Sequence, residues 1–113
     1  MDKNLIKNSA VSLQDALSFR NKAKKEKKTF VLTNGCFDLL HSGHVFSLIE
    51  ASKLGDYLWV AINSDSSIKN LKGPKRPIVN EIDRAYLLTS LSCVAGVTIF
   101  NSTRLVDEIL LLK

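Results

Sequence analysis

Three short apolar runs alternate with segments of helical periodicity, and this alternation constrains the fold more than any other feature of the sequence. The runs cover residues 29–33, 57–62 and 94–100 and are rich in β-branched and aromatic residues. Runs that are apolar at nearly every position are typical of strands buried on both faces of a parallel sheet. Such strands are joined by right-handed helical crossovers. The chain is therefore predicted to be an α/β protein with a parallel sheet and flanking helices.

Helices are predicted where apolar residues recur at helical spacing, in most cases behind a polar residue that can cap the helix. They are Leu13–Lys25 behind the capping-box pattern Ser12–Asp15, about residues 43–53, one that begins at Asn80, and one from Ser102 or Thr103 to Leu112. The residues of the third helix that are expected to face the core are Ile82, Ala85, Leu88 and Leu91.

The polar segments that follow the strands are the expected ligand side of the molecule. Ligands of open parallel sheets bind beyond the carboxyl ends of the strands. Here those ends lead into residues 34–44, 63–65 and 100–103. Residues 63–66 are predicted to form a polar turn, and the glycine and two prolines of residues 72–77 predict an irregular basic loop.

The length and charge indicate one domain with an anionic partner. The 113 residues suit a single domain, 1–113, in which residues 1–28 supply an N-terminal helix and a basic segment. A formal net charge of +5 favours a nucleotide, a sugar phosphate or a nucleic acid as partner. Much of this charge lies in Lys22–Lys28, which lacks the interleaved aromatic residues of a base-stacking surface. A solvated helix end is therefore preferred over nucleic-acid binding.

The remaining global features predict a cytoplasmic protein with free thiols. No apolar run approaches the roughly 20 residues that span a bilayer, and no signal-like stretch follows Met1. Cys36 and Cys93 do not suggest a disulfide framework, and two packed thiols are expected. No membrane partner is predicted, and the sequence leaves a homo-oligomer open.

His41 and His44 carry the clearest chemical signal, because they flank Gly43 where the first strand feeds its helix. A helix N-terminus offers unpaired N–H groups and a partial positive charge, so it attracts phosphate. Histidines three residues apart in a first turn point roughly the same way and can both donate to one phosphate group. Gly43 has no side chain that would obstruct an approaching ligand, and Gly35 permits the tight turn that leaves the strand.

Other interpretations of these residues stay open at this point. The two histidines can be chance, or metal ligands together with Cys36 or Asp38, although their spacing matches no established zinc pattern. Nucleophilic catalysis by Cys36 is weaker still. Asp38 is at least as readily explained as an acceptor for backbone N–H groups in its turn as by direct contact with a ligand. No resident metal site is predicted.

The segment from Gly35 to His44 resembles the signature of the cytidylyltransferase-like nucleotidyltransferases, whose shared element is H-x-G-H. It resembles most the heptose 1-phosphate adenylyltransferases that make ADP-heptose for bacterial lipopolysaccharide, often as the second domain of a bifunctional heptose kinase/adenylyltransferase. Residues 60–65, 71–78 and 83–85 are similar to further stretches of that family, in the same order. The likeness covers about residues 12–103 and implies a Rossmann-like nucleotidyltransferase fold.

The resemblance implies that a substrate phosphate attacks the α-phosphate of a nucleoside triphosphate and releases pyrophosphate. It implies ATP and a sugar 1-phosphate as partners, with Mg²⁺ held mainly by the nucleotide phosphates. His41 and His44 match the catalytic histidines, and Lys72 matches a loop lysine that clamps phosphate. The nucleotide-binding residues implied by the resemblance or by their place in the turn are Asn34, Gly35, Cys36, Phe37, Asp38, Gly43, Asp65 and Arg84. On sequence alone, Arg84 is slightly better explained as an exposed helix residue. Lys72, Lys75 and Arg76 are equally well explained as a solvated basic loop.

One departure from the family pattern lies at the C-terminal end. The family continues with a further strand and a Ser/Thr-bearing segment that opens another helix and contacts the triphosphate. Nothing in this sequence matches that segment, so the chain is expected to lack the C-terminal strand and helix of the fold. A cytidylyltransferase for glycerol 3-phosphate or a similar phosphate, and a nucleotide-binding module without turnover, are therefore kept as alternatives.

Overall fold

The computed structural model describes residues 10–101, which form an open three-stranded sheet flanked by helices. In chain order the elements are α1 (Leu13–Lys25), β1 (Phe30–Gly35), α2 (Ser42–Ser52), β2 (Tyr57–Asn63), α3 (Asp65–Lys72), α4 (Glu81–Thr89) and β3 (Gly96–Phe100). The predicted parallel α/β architecture is confirmed. The fourth predicted helix, from Ser102 or Thr103, lies outside the described residues.

All three strands run parallel in the order β1–β2–β3. Gly35 at the end of β1 is level with Ile62, and Phe100 at the end of β3 is level with Asn63. The carboxyl ends of the strands therefore share one edge, as the sequence predicts. The segments that follow β1 and β2 begin side by side at this edge.

The central strand β2 is covered on both faces. Its residues Leu58, Val60 and Ile62 pack in one cluster with Leu48 of α2 and with α4. Its alternate residue Trp59 packs with Ala16 of α1 on the other face. Burial on both faces explains why this run is apolar at every position up to its last residue.

Trp59 also fixes the spacing between β2 and β3. Its indole Nε1 donates to Thr98 Oγ1 at 2.9 Å, which satisfies the polar group of a ring that is 4% exposed. A Cβ at Gly96 would clash with the six-membered part of the same ring. Only glycine lets β3 approach the tryptophan this closely.

The first helix is confirmed with the predicted bounds. Ser12 caps it and accepts a hydrogen bond from the Asp15 N–H at 3.1 Å. Its last turn carries Lys22, Lys24 and Lys25, which lie exposed where cations stabilise a helix C-terminus. Within residues 10–101, no helix is long and apolar enough to cross a membrane.

Two details of the sequence prediction are wrong. Residues 63–66 are not a turn: Ser64 caps the short helix α3, its hydroxyl accepting from the Ser67 N–H at 3.2 Å. The apolar signal of α3 is one buried residue, Ile68, which is too little to reveal a helix by periodicity. Ile82 is 68% exposed and does not face the core, whereas Ala85 and Leu88 do.

Candidate functional site

A tight segment joins β1 to α2 at the carboxyl edge of the sheet. Its backbone reverses at Phe37, whose φ of 50° lies in the left-handed region that a side chain rarely adopts. The Phe37 ring lies edge-on to the His44 ring at 5.2 Å between centroids. A Cβ at Gly35 would come within 2.8 Å of the Phe37 ring, so glycine makes room for it. The strand end therefore positions a histidine through an aromatic ring.

The two histidines cap the helix that they begin. His41 is the N-cap of α2, and its Nδ1 accepts a hydrogen bond from the Gly43 N–H at 3.0 Å. His44 makes the reciprocal hydrogen bond, in which its Nδ1 accepts from the His41 N–H at 3.2 Å. A nitrogen that accepts cannot carry the proton, so both neutral rings hold theirs on Nε2. The local hydrogen bonds thus set two Nε2–H donors at one helix N-terminus.

The histidine rings lie against each other, with centroids 3.9 Å apart and planes at 25°. Burial, together with the charge that His41 can carry, lowers the pKa of His44 below its usual 6.5. His44 is therefore neutral at pH 7, which is the state that its hydrogen bond to the His41 N–H requires.

Gly43 has a different reason for being glycine than the sequence suggests. A Cβ there would lie 2.9 Å from His41 Cε1 and 3.0 Å from Nδ1. The space is filled by the folded-over His41 ring. Gly43 is thus needed to seat the cap, whereas the sequence suggests that it makes room for a ligand.

Asp38 joins this turn to the basic loop 40 residues later in the chain. It is 7% exposed, and its Oδ1 accepts from the backbone N–H groups of Ile78 and Val79 at 2.8 and 3.0 Å. Its Oδ2 accepts from Arg76 Nη1 at 2.9 Å. The sequence predicts Asp38 either as a nucleotide-binding residue or as a local acceptor in its own turn. In the structure both carboxylate oxygens are engaged by a distant loop, and we call this set of contacts the Asp38 latch.

The latch holds Asp38 in its charged form. Burial opposes ionisation, but the Val79 N–H, the Arg76 guanidinium and the Ile78 N–H outweigh it and lower the pKa of Asp38 below 3.8. As the pH falls, the unfolded chain binds this proton first, so protonation favours unfolding. The contribution of the latch to stability is present above a pH of about 4 and is lost as the pH falls through the lowered pKa of the folded state.

Replacing Asp38 by asparagine is expected to flatten this acid dependence. Asparagine keeps an oxygen for the two amides but cannot ionise, so the variant should be less stable at pH 7 and lose less on acidification. Urea midpoints at pH 7 and pH 3.5 measure both effects. Asp15→Asn, at an exposed carboxylate of α1, is the matched control and should retain the wild-type acid dependence. Equal acid dependence in Asp38→Asn and the wild type would contradict the assignment.

Arg84 is the most deeply engaged charged residue of the site, at 1% exposure. Nη1 donates to the carbonyls of Cys36 and Asn63 at 2.8 and 2.7 Å, and so joins the ends of β1 and β2. Nε donates to the Val79 carbonyl at 2.9 Å. Nη2 donates to Asp65 Oδ1 at 2.8 Å. The alternative that Arg84 is an exposed helix residue is wrong, and four of its five N–H groups serve protein acceptors.

The helix N-termini at this edge differ in what they leave open. At α3, the N–H of Asp65 donates to Glu81 Oε1 at 2.8 Å, so a protein carboxylate already occupies the position that an anion would take. At α2, the His41 side chain accepts from the Gly43 and His44 N–H groups, and no protein acceptor among the described residues meets the N–H of Ser42. The free donors at the histidine turn are therefore the Ser42 N–H and the Nε2–H groups of His41 and His44.

Two other predicted site residues make no side-chain hydrogen bond or ion pair within residues 10–101. Asn34 is exposed near the end of β1, and Lys72 is exposed at the last position of α3. The structure therefore assembles Gly35, Phe37, His41, Gly43 and His44 by direct contact, and Cys36, Asp65 and Arg84 around the strand ends.

The same region also shows the state of the cysteines and bears on the alternative that the histidines bind a metal. Cys36 and Cys93 are free, and Cys36 Sγ donates to Asn63 Oδ1 at 3.5 Å. In the part of the chain that the structure describes, no three His, Cys, Asp or Glu residues group as metal ligands. The Asp38 carboxylate is engaged by the latch, so it is not available as a third ligand beside the histidines.

Comparison with known proteins identifies the family. The family profile described as cytidylyltransferase-like matches residues 32–111. The chain belongs to the cytidylyltransferase-like family, which confirms the resemblance predicted from the sequence.

Individual relatives carry more specific names. The chain is 54% identical over 88 residues to the bifunctional protein HldE of Helicobacter pylori strain P12, a match that covers 78% of this chain and 19% of that protein. It is 50% identical over 90 residues to HldE of Syntrophotalea carbinolica, with 80% and 18% covered. The chain thus spans about a fifth of the length of these relatives.

A solved structure shares the fold. The crystal structure of a lipopolysaccharide core biosynthesis protein from Thermoplasma volcanium superposes with a TM-score of 0.65 and 31% sequence identity. The match covers 74% of this chain and 66% of that one. The open parallel sheet is therefore a Rossmann-like nucleotidyltransferase fold, as predicted.

Proposed function

We propose that this chain carries the nucleotide site of an adenylyltransferase that transfers AMP from ATP to a sugar 1-phosphate, with heptose 1-phosphate as the acceptor. An oxygen of the sugar phosphate attacks the α-phosphorus of ATP, and the bond to the pyrophosphate oxygen breaks, so that ADP-sugar and pyrophosphate are formed. The proposal places the reaction in the supply of precursors for lipopolysaccharide. It rests on the family, on the named relatives and on the histidine turn.

One observation carries the proposal: both Nδ1 atoms of His41 and His44 are engaged by backbone N–H groups, which leaves two Nε2–H donors at the open N-terminus of α2. Donors fixed before the substrate arrives stabilise charge that develops on a phosphate in the transition state without a cost of reorganisation. The amide of Ser42 and the helix dipole act in the same direction.

The cations after α3 complement this turn in the proposal. Lys72 and Lys75 are exposed and Arg76 is partly exposed while it pairs with Asp38. We assign to Lys72 the clamping of a phosphate when the ligand is bound. Arg84 is assigned a supporting role, because it holds the strand ends beneath the site with donors that already have protein acceptors.

Mg²⁺ is proposed to enter with the nucleotide. Mg²⁺ prefers one or two carboxylates together with substrate phosphates over an all-protein cage. Asp65 fits this limited role, because its Oδ1 pairs with Arg84 while its side chain is 32% exposed. Bound there with ATP, the ion would neutralise phosphate charge and orient the reacting groups.

Pyrophosphate release tests the proposal. Purified chain is incubated with Mg²⁺, D-glycero-β-D-manno-heptose 1-phosphate and either ATP or CTP. We expect release with ATP that depends on the sugar phosphate and exceeds release with CTP. Equal rates of pyrophosphate release with both nucleotides would contradict the proposal that the enzyme transfers AMP from ATP. Binding of ATP in calorimetry without any turnover would instead support a nucleotide-binding module.

A further inference from the structure

Asn63 ends β2 at the edge of the sheet with a polar side chain that is only partly used. The residue is 6% exposed. Its Oδ1 accepts the hydrogen bond from Cys36 Sγ at 3.5 Å. Within residues 10–101 its Nδ2 has no acceptor, and this nitrogen is not among the polar atoms that the protein encloses completely. The amide group thus presents an unused donor to accessible space.

The protein itself offers this donor no partner, so its partner comes from solvent or from a ligand. Polar groups of largely buried side chains in folded proteins usually meet a protein group, water or a ligand. The neighbouring backbone groups already have hydrogen-bond partners. The carbonyl of Asn63 accepts from Arg84 Nη1, and the N–H of Ser64 donates to the Phe100 carbonyl at 2.8 Å. The backbone of Asn63 is therefore held from both sides while its side-chain nitrogen is free.

The position of this donor connects it to the histidine turn. Cys36, which orients the amide, precedes Phe37 in the chain, and the Phe37 ring contacts His44. The Cys36 thiol engages the oxygen of the carboxamide, and this leaves the NH₂ group as the free end. The donor is thus preorganised at the same strand edge as the histidines.

We propose that Asn63 is a further binding residue of this site, whose Nδ2 donates a hydrogen bond to an oxygen of the phosphate-bearing ligand. The oxygen belongs to ATP or to the sugar phosphate, and the two ligands share the acceptor chemistry that the amide recognises. This inference rests on the proposed function for the identity of the ligands, but it concerns binding and does not require turnover.

Two substitutions separate a binding role from a structural one. Asn63→Asp keeps the shape and the oxygen for Cys36 but replaces the donor by a negative charge, and Asn63→Leu removes the polar group at similar size. Calorimetry with ATP and with heptose 1-phosphate, each alone, measures Kd. We expect Kd of the contacted ligand to rise about tenfold to a hundredfold in both variants, as the loss of a buried hydrogen bond predicts. Asn21→Asp introduces the same charge change on exposed α1 and is expected to leave both Kd values within threefold.

A direct measurement on the unaltered chain covers the case in which a variant does not fold. The side-chain amide resonances of Asn63 in a ¹⁵N NMR spectrum should shift when ATP or the sugar phosphate is added to saturation. Unshifted resonances with both ligands, or a folded variant that binds both within threefold of the wild type, would overturn the inference. A shift with ATP in a chain without turnover would keep the inference and reject the proposed reaction.

Discussion

Replacing Arg84 by methionine is expected to lower the free energy of unfolding by about 3–5 kcal/mol, the range observed when one partner of a buried ion pair is removed. Methionine fills similar space but leaves three carbonyls and the Asp65 carboxylate without their donor. The total stability of small domains is roughly 5–15 kcal/mol, so this loss brings the chain close to unfolding at room temperature. Urea unfolding, followed by the fluorescence of Trp59, measures it.

Two further variants serve as controls for Arg84→Met. Arg84→Lys should recover only part of the loss, because one ammonium group cannot reach four acceptors that surround a planar guanidinium. Lys53→Met breaks the exposed pair with Glu50 at 2.7 Å and should change stability by less than about 1 kcal/mol. An Arg84→Met variant as stable as Lys53→Met would show that water replaces the guanidinium without cost.

The fold was predictable because its signal is local. Each buried strand is an apolar run, Ser12 and Asn80 are recognisable caps, and the alternation of strands and helices requires a parallel sheet. The shared carboxyl edge then follows from topology. α3 escaped prediction because eight residues with one fully buried apolar side chain give no usable period.

The roles within the site were less predictable because they depend on contacts between residues far apart in the chain. Asp38 and Ile78 are 40 positions apart, and Cys36 and Arg84 are 48 apart. Nothing in the local sequence distinguishes a carboxylate that latches a distant loop from one that meets a ligand. The histidine turn was predictable as a helix start, because the glycine and the spacing of the histidines are local signals, and its phosphate role stays a prediction. The hydrogen bonds of its Nδ1 atoms were not predictable, because they depend on ring orientations that the local sequence does not specify.

Asn63 illustrates a signal that the sequence contained but did not explain. A polar residue ends the otherwise apolar run of β2, and this is visible without a structure. A polar strand end is common, however, and its meaning depends on whether the side chain has a protein partner. In the structure, Oδ1 of Asn63 accepts a hydrogen bond from Cys36, whereas Nδ2 has no acceptor within residues 10–101. The unused Nδ2 is the part of the side chain that suggests a ligand.

Replacing His44 by asparagine is expected to abolish most of the turnover while it preserves the fold. The asparagine oxygen lies near the position of Nδ1 and can still accept from the His41 N–H, but the Nε2–H donor is lost. Loss of one preorganised donor to a transition-state oxygen typically lowers kcat about a hundredfold to a thousandfold. The KM for ATP should change much less. Steady-state pyrophosphate release and thermal unfolding, measured on the same preparation, test both statements.

His44→Gln gives the opposite pattern and completes the argument. The glutamine amide nitrogen reaches toward the position of Nε2, so part of the donor function should return, whereas the cap on the His41 N–H is lost. We therefore expect Gln to be more active but less stable than Asn at this position. Equal activity and equal stability of the two variants would mean that the two nitrogens of His44 do not have separate tasks. The proposed chemistry requires that separation, because the Nδ1 hydrogen bond fixes the proton on the nitrogen that is to meet the phosphate.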